Sequence, residues 1–478
     1  MKHSFALLVK LLALSALSAG AFAAPASQQG SSCHLPGYDQ PLRCVTVPVP
    51  VDYQHPDGAK MGLHVTLAPA LKELARSDPV FVLAGGPGQA GSDILQVLDI
   101  AFGKARATRD IVLIDQRGTG RSGKLSCDSE RTATELPEHE QGKVVADCMR
   151  SLHKPFAAYN TENSARDLEQ IRVALGYPVV NVWGASYGTR LGQAYARLFP
   201  ASVRSMILDG VAAPEQIIFA WGKDAQASLD AVFKRCHEDA ACAAAYPALP
   251  SQFASLLKRV NGGAVTLDFA HPRSARPMHM KLEPVNFVQT VRAALYSATS
   301  SSRLPFLIDA AEKGNWRPFL AQMYSSSDFA VGGMATGLML AVTCAEDLSR
   351  LTPQIVAEEE RSSFLAGAEV KMIPGWCQYV KVPAITYREP SELHMPVLLL
   401  SGALDPVTPP YRADSARKHM PHGQAFVVAN AGHGVSQLGC APRLLREFLD
   451  QPQQALQAQC LADISRPSFQ LGAAGPHP

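Results

Sequence analysis

The chain has 478 residues and a formal net charge of +2, enough sequence for two or three domains and no charge excess to draw it onto nucleic acid. Its 47% hydrophobic and 18% charged residues exclude a disordered chain, which would be poorer in apolar side chains and more strongly charged.

The first residues read as an export signal. Lys2 and His3 precede an apolar run over 5–17, and Ala21-Phe22-Ala23 forms a small-residue cleavage site. A signal peptide over 1–23 is expected, and no later stretch is long and apolar enough to span a bilayer. The chain is therefore read as exported, periplasmic or secreted, with no membrane attachment after cleavage. Ten cysteines follow: 33, 44, 127, 148, 236, 242, 344, 377, 440 and 460. An even count in an exported chain argues for disulfides. Sequence alone leaves the pairing open, and pairing of near neighbours would join 33–44, 127–148, 236–242, 344–377 and 440–460. Metal binding is the rival reading, but neither C-x-x-C nor H-E-x-x-H occurs, so no metal is expected.

In chain order, 44–53 and 61–68 alternate like antiparallel strands joined by a His55-Pro56-Asp57-Gly58 turn. A short buried strand over 79–84 meets Gly85-Gly86-Pro87-Gly88, then a helical segment over 93–102 leads to a strand over 111–115. The run from Gly118 to Gly123 fits G-x-G-x-x-G and, with Lys124, approaches a phosphate-binding loop. Leu125 stands where such a loop needs a magnesium-binding hydroxyl, and no hydrophobic helix opens at Gly123. No nucleotide or other cofactor is expected. A helix over 164–175 stops at Gly176, with Pro178 beyond.

The strongest signal is 179–192, VVNVWGASYGTRLG. An apolar β-branched run ends in Gly184-Ala185-Ser186-Tyr187-Gly188, and a helical pattern follows at once. The G-x-S-x-G spacing puts Ser186 on a sharp strand-to-helix turn, where the flanking glycines let strand and helix pass. The Tyr187 N–H at the helix start then faces a developing oxyanion. A strand over 205–209 follows. From 214 to 393 the pattern is largely helical, with weak strand signals near 264–269. Strand–helix alternation resumes over 396–401, 411–419, 425–429 and 442–449. This order implies a mostly parallel sheet interrupted by a large helical insertion. The expected organisation is a sheet domain over 24–213, an insertion over 214–393, the rest of the sheet domain over 394–462 and a disordered tail over 463–478.

Ser186 needs a base, and the base needs a carboxylate to fix its tautomer. Asp405 follows the strand over 396–401, and His433 follows the strand over 425–429, so the order Ser…Asp…His matches the α/β-hydrolase arrangement. Asp209, at the end of the preceding strand, is the rival acid. Thr408 is placed to brace Asp405. Gly86, just beyond the third strand, is the candidate for a second oxyanion donor.

Together, Gly85-Gly86-Pro87-Gly88, Asp115-Gln116-Arg117-Gly118-Thr119-Gly120-Arg121-Ser122, Trp183 through Thr189, Asp405 through Pro410 and Gly432-His433-Gly434 resemble the tripeptidyl and prolyl aminopeptidase family of serine α/β-hydrolases. The departure is Ala84, where prolyl aminopeptidases usually carry His. The resemblance implies an α/β-hydrolase fold whose insertion is a lid selecting a free peptide amino terminus. Glu346 and Asp347 are the candidates to bind that ammonium group, and Asp115, Arg117 and Arg121 are expected to brace their loop by ion pairs. The expected activity is that of an exported serine aminopeptidase releasing tripeptides or single residues through an acyl-enzyme. An esterase or lipase with the same triad is the alternative, and a non-catalytic binding protein on the same fold is a third reading.

Overall fold

The computed structural model describes residues 30–72, 75–95 and 99–476; the signal-peptide expectation lies outside them. Strands β1 (Ser31–Cys33), β2 (Leu42–Pro50), β3 (Lys60–Ala68), β4 (Val80–Leu83), β5 (Ile111–Ile114), β6 (Val180–Ala185) and β7 (Val203–Asp209) precede the insertion. A hairpin, β8 (Thr266–Ala270) and β9 (Pro277–Lys281), lies within it, and β10 (Val397–Gly402) and β11 (Gly423–Val428) follow. The main sheet runs β1-β2-β3-β5-β4-β6-β7-β10-β11. Its β1–β3 edge is antiparallel, β3 meets β5 antiparallel, and every pairing from β5 to β11 is parallel.

Continuous apolar runs form the central strands because both faces of the sheet are covered. Every residue of β4 and β5 is buried. Phe81, Leu83, Val112 and Ile114 enter one core, while Val80, Val82, Ile111 and Leu113 enter the other, the two-residue alternation of a pleated strand. Register then aligns the carboxyl ends: Leu83 pairs with Gly184, Ala185 with Asp209, and Gly402 with Val428. The loops that leave these strands share one edge of the sheet, where parallel α/β sheets place their ligands.

Between β7 and β10 the chain is mainly helical, from Gly222–Glu238 to Ala368–Val380. The weak strand signal near 264–269 corresponds to the β8–β9 hairpin. Of the helix expected over 93–102, residues 99–100 are helical, 96–98 lie outside the described residues, and a short 3₁₀ turn, Gly91–Asp93, stands at its start. The five disulfides join the sequence neighbours expected. The tail expected to be disordered is instead held down through residue 470. Phe469 is buried under the Arg235 guanidinium, the Gln470 N–H donates to the Ser302 carbonyl at 3.1 Å, and Tyr246 Oη donates to the Gln470 carbonyl at 2.9 Å. One aromatic anchor and two hydrogen bonds to the Gln470 backbone outweigh the weak local preferences of the tail.

Arg117, in the loop after β5, is fully buried and makes a bidentate pair with Asp167, Nε–Oδ2 2.7 Å and Nη2–Oδ1 2.6 Å. Its remaining N–H groups donate to the carbonyls of Pro50, Val51 and Ala158, and Tyr53 Oη donates to Asp167. Asp115 braces the same loop through hydrogen bonds, accepting from the Ser92 and Arg121 amides. Because losing one partner strands a buried charge, Asp167→Ala is expected to cost about 3–5 kcal/mol, read as a lower urea midpoint at unchanged slope.

Candidate active site

Ser186 sits between β6 and the helix Tyr187–Leu198 with φ 55° and ψ −123°, a conformation rare for a residue with a side chain. The flanking glycines make the turn possible. A Cβ on Gly184 would stand 2.3 Å from the Gly188 carbonyl oxygen, and one on Gly188 would stand 2.2 Å from that of Leu83. Below the turn, the Ser186 N–H donates to the Asp209 carbonyl at 3.0 Å, and Thr189 Oγ1 donates back to the Ser186 carbonyl at 2.6 Å.

Asp405 and His433 meet above the neighbouring strand ends. His433 Nδ1 lies 2.7 Å from Asp405 Oδ2. A carboxylate only accepts, so Nδ1 carries the proton and Nε2 keeps its lone pair. Asp405 Oδ1 accepts from the Val407 and Thr408 amides, both at 2.8 Å, and Oδ2 from Thr408 Oγ1 at 2.8 Å. Burial lifts the Asp405 carboxyl, but His433 and the two amides outweigh it and hold it below its ordinary value. For His433, burial pulls the imidazole down, and Asp405 more than reverses this. Asp209, the rival acid, does not meet the ring; its carboxylate accepts from the Val435 and Ser436 amides.

The insertion reaches this constellation at two points for which the sequence carries no motif. The His433 N–H donates to the Tyr296 carbonyl at 2.7 Å, and the two rings meet edge to face at 5.1 Å. On the other side, the Ala335 N–H donates to the Gly88 carbonyl at 2.9 Å, and Met334 Cε lies 2.5 Å from where a Cβ on Gly86 would stand. Gly86 has φ 107°, and its neighbour Gly85 lies against Ser186, whose Oγ would be 3.6 Å from a Cβ there. The Gly85–Gly88 loop therefore overhangs Ser186. The Tyr187 ring is buried with its hydroxyl 2.8 Å from Thr161 Oγ1, so only its backbone amide is available to a substrate.

Glu346 and Asp347 occupy a different setting from the one expected. Asp347 is fully buried, with Arg190 Nη1 at 3.1 Å, the Arg350 guanidinium against Oδ1 and the Ile218 N–H donating at 3.1 Å. Glu346 accepts from the Thr161 amide at 2.7 Å and Thr161 Oγ1 at 2.8 Å, with Arg190 at 3.7 Å. Burial raises its carboxyl above the ordinary value, against the pull of Arg190. Two arginines already balance the two carboxylates, and Asp347 has no face open to a ligand. The pair fastens the insertion to the first turns of the elbow helix, with Asp347 buried and its oxygens engaged by Arg190, Arg350 and the Ile218 amide.

Two outcomes follow for hydrolysis by this site. Thr408→Val removes a hydrogen bond to a charged acceptor, worth about 1.5–3 kcal/mol, and should lower kcat about tenfold or more at nearly constant KM. Because the base must be unprotonated, a raised His433 pKa moves the acid limb of the rate profile to higher pH. The wild-type midpoint should lie above about 6.5, and that of Asp405→Asn, measured on the residual activity, should fall below the wild-type value.

Residues 78–436 match the alpha/beta hydrolase fold family. The serine protease Hip1 of Mycobacterium tuberculosis is 28% identical over 434 residues, covering 82% of this chain and 81% of that protein. The tripeptidyl aminopeptidase of Streptomyces lividans is 31% identical over 197 residues, 37% of this chain and 36% of that protein. Among solved structures, an esterase from Exiguobacterium antarcticum aligns with a TM-score of 0.39 at 15% identity, over 86% of this chain and 99% of its own. With a match that runs from just before β4 through the loop bearing His433, the chain belongs to the alpha/beta hydrolase fold family, as one of its serine hydrolases.

Proposed function

We propose that the protein is an exported serine aminopeptidase that removes short units from free peptide amino termini. The observation that carries this reading is the double contact of the insertion, Tyr296 on His433 and Met334 on Gly86. A site roofed from both sides suits the end of a chain better than its middle. The likeness to a serine protease along most of the chain and to a tripeptidyl aminopeptidase over part of it supports peptide substrates. Five disulfides support an oxidising compartment, periplasmic or extracellular.

In this reading Ser186 Oγ attacks the scissile carbonyl carbon while His433 Nε2 takes its proton. The Gly86 and Tyr187 amides hold the resulting oxyanion. As the C–N bond breaks, His433 returns the proton to the leaving amine, and Asp405 keeps the imidazole oriented throughout. Water then attacks the acyl-enzyme, giving its proton to His433, and Ser186 leaves protonated with the free acid released. Glu346, the less buried of the two expected anchors, is the remaining candidate among them for the substrate ammonium group.

The test is a matched panel of aminoacyl, prolyl and tripeptidyl chromogenic amides, each free and N-acetylated, with a p-nitrophenyl ester alongside. Cleavage of free-amine amides that acetylation abolishes is expected, and the preferred length identifies the unit released. Turnover of the ester alone would replace this reading with an esterase. Absence of both turnover and fluorophosphonate labelling would leave a binding protein.

A further inference from the structure

Asp209, the alternative acid in the sequence, has a carboxylate that bonds elsewhere than the imidazole. It is the last residue of β7, 3% exposed, and its main-chain carbonyl accepts the Ser186 N–H at 3.0 Å. Its side chain reaches across to the chain just past His433. Oδ1 accepts from the Val435 amide at 2.8 Å, and Oδ2 accepts from the Val435 amide at 3.0 Å and the Ser436 amide at 2.8 Å. The next residue continues the pattern. The Gly210 N–H donates to the Leu400 carbonyl of β10 at 2.9 Å, on the strand that leads to Asp405. Gly210 has φ 65°, and a Cβ on it would stand 3.1 Å from both His433 Cε1 and Thr408 Oγ1. Two consecutive residues therefore bond the Ser186 backbone, the His433 loop and the strand leading to Asp405, and the second leaves little room for a side chain beside His433 and Thr408.

We propose that Asp209 is a positioning residue that clamps the His433 loop to the nucleophile elbow, setting the distance between base and nucleophile. The clamp is dry and charged. Its direct partners are the Val435 and Ser436 amides and the Ser436 side chain, and hydrogen bonds to a buried carboxylate are strong and directional. Its charge also bears on the imidazole. The groups facing His433 are Asp405 and Thr408 from the loop after β10, Tyr296 and Arg292 from the insertion, and Asp209 from β7. Burial lowers the imidazole pKa, Asp405 and then Asp209 raise it, and Arg292 opposes them. The carboxylate thus holds the loop in place and favours the imidazolium formed in each half of the reaction.

The inference rests on Ser186 being the nucleophile and not on peptide specificity, so the readout is the rate of fluorophosphonate labelling across pH, in variants whose folding is checked by thermal unfolding. Asp209→Asn keeps the shape but turns an amide donor toward the loop amides and removes the charge. It should label about 10- to 100-fold more slowly, the cost of a misplacement near 1 Å, and its pH midpoint should fall. Asp209→Glu keeps the charge and shifts it by one methylene; it should also label slowly, with a midpoint close to wild type. Wild-type labelling by both variants, with unmoved midpoints, would overturn the proposal. Hydrogen exchange on the wild-type protein tests the clamp without any variant. The Val435 and Ser436 amides should be strongly protected, and exchange at open-loop rates would sink the clamp even where the variants do not fold. Failure of the wild type to label would count against the nucleophile assignment, and the exchange result would still decide the clamp.

Discussion

The backbone at Ser186 is held at φ 55° and ψ −123°, which costs of order 1–3 kcal/mol and must be stabilised by its surroundings. Much of the molecule does so. The glycines on either side let β6, the elbow helix and β4 approach to distances that any side chain would block. The Ser186 amide and carbonyl are both engaged, by Asp209 and Thr189. The first turns of the helix are gripped from the far side, where Tyr187 bonds Thr161 and Arg190 pairs with Asp347. The strained backbone at Ser186 persists because three layers of contact over-determine its position.

The insertion completes that third layer. Glu346 and Asp347 stand at the end of the helix Thr336–Glu346 and reach Thr161 and Arg190 in the sheet domain. In dry surroundings a lone carboxylate would be expensive, and two carboxylates between two guanidiniums with amide donors are not. The start of the same helix hydrogen-bonds the Gly88 and Leu125 carbonyls through Ala335 and Gly337. The helix is thus pinned at one end to the Gly85–Gly88 loop and at the other to the elbow helix. An insertion built this way is part of the scaffold around Ser186, and displacing the helix Thr336–Glu346 would break contacts at both of its ends.

Features read correctly from the sequence were those whose cause is local. Continuous apolar runs marked β4, β5 and β10 because both faces are covered, and Gly184 and Gly188 marked the elbow because no other residue fits between crossing backbones. The meeting of Asp405 with His433 was legible from their positions just past strand ends. The setting of Asp347 was not legible because Arg190, one of the two arginines that pair with it, lies more than a hundred residues away in sequence. A carboxylate pair beside an apolar helix looks the same in sequence whether it meets a ligand or a buried arginine. Tyr296 and Met334 gave no signal, since their roles come from where unpatterned helix ends land. The tail was misjudged for a related reason: one buried phenylalanine leaves no periodicity.

The two buried aspartates near the imidazole show how one chemical group is given two tasks by its surroundings. Asp405 receives two amides, a hydroxyl and the imidazole N–H, and these interactions outweigh burial and keep its carboxyl below the ordinary range. Asp209 receives backbone amides without direct contact with the ring, and burial prevails, so its carboxyl lies above it. The difference follows from position along neighbouring strands. β10 ends in a turn whose amides fold back onto Asp405, while β7 ends flush with the elbow and can reach only the far side of the histidine loop. Pairs of carboxylates separated in this way are how a fold assigns distinct duties to identical side chains. Here Asp405 bonds the ring directly, and Asp209 bonds the loop that carries it.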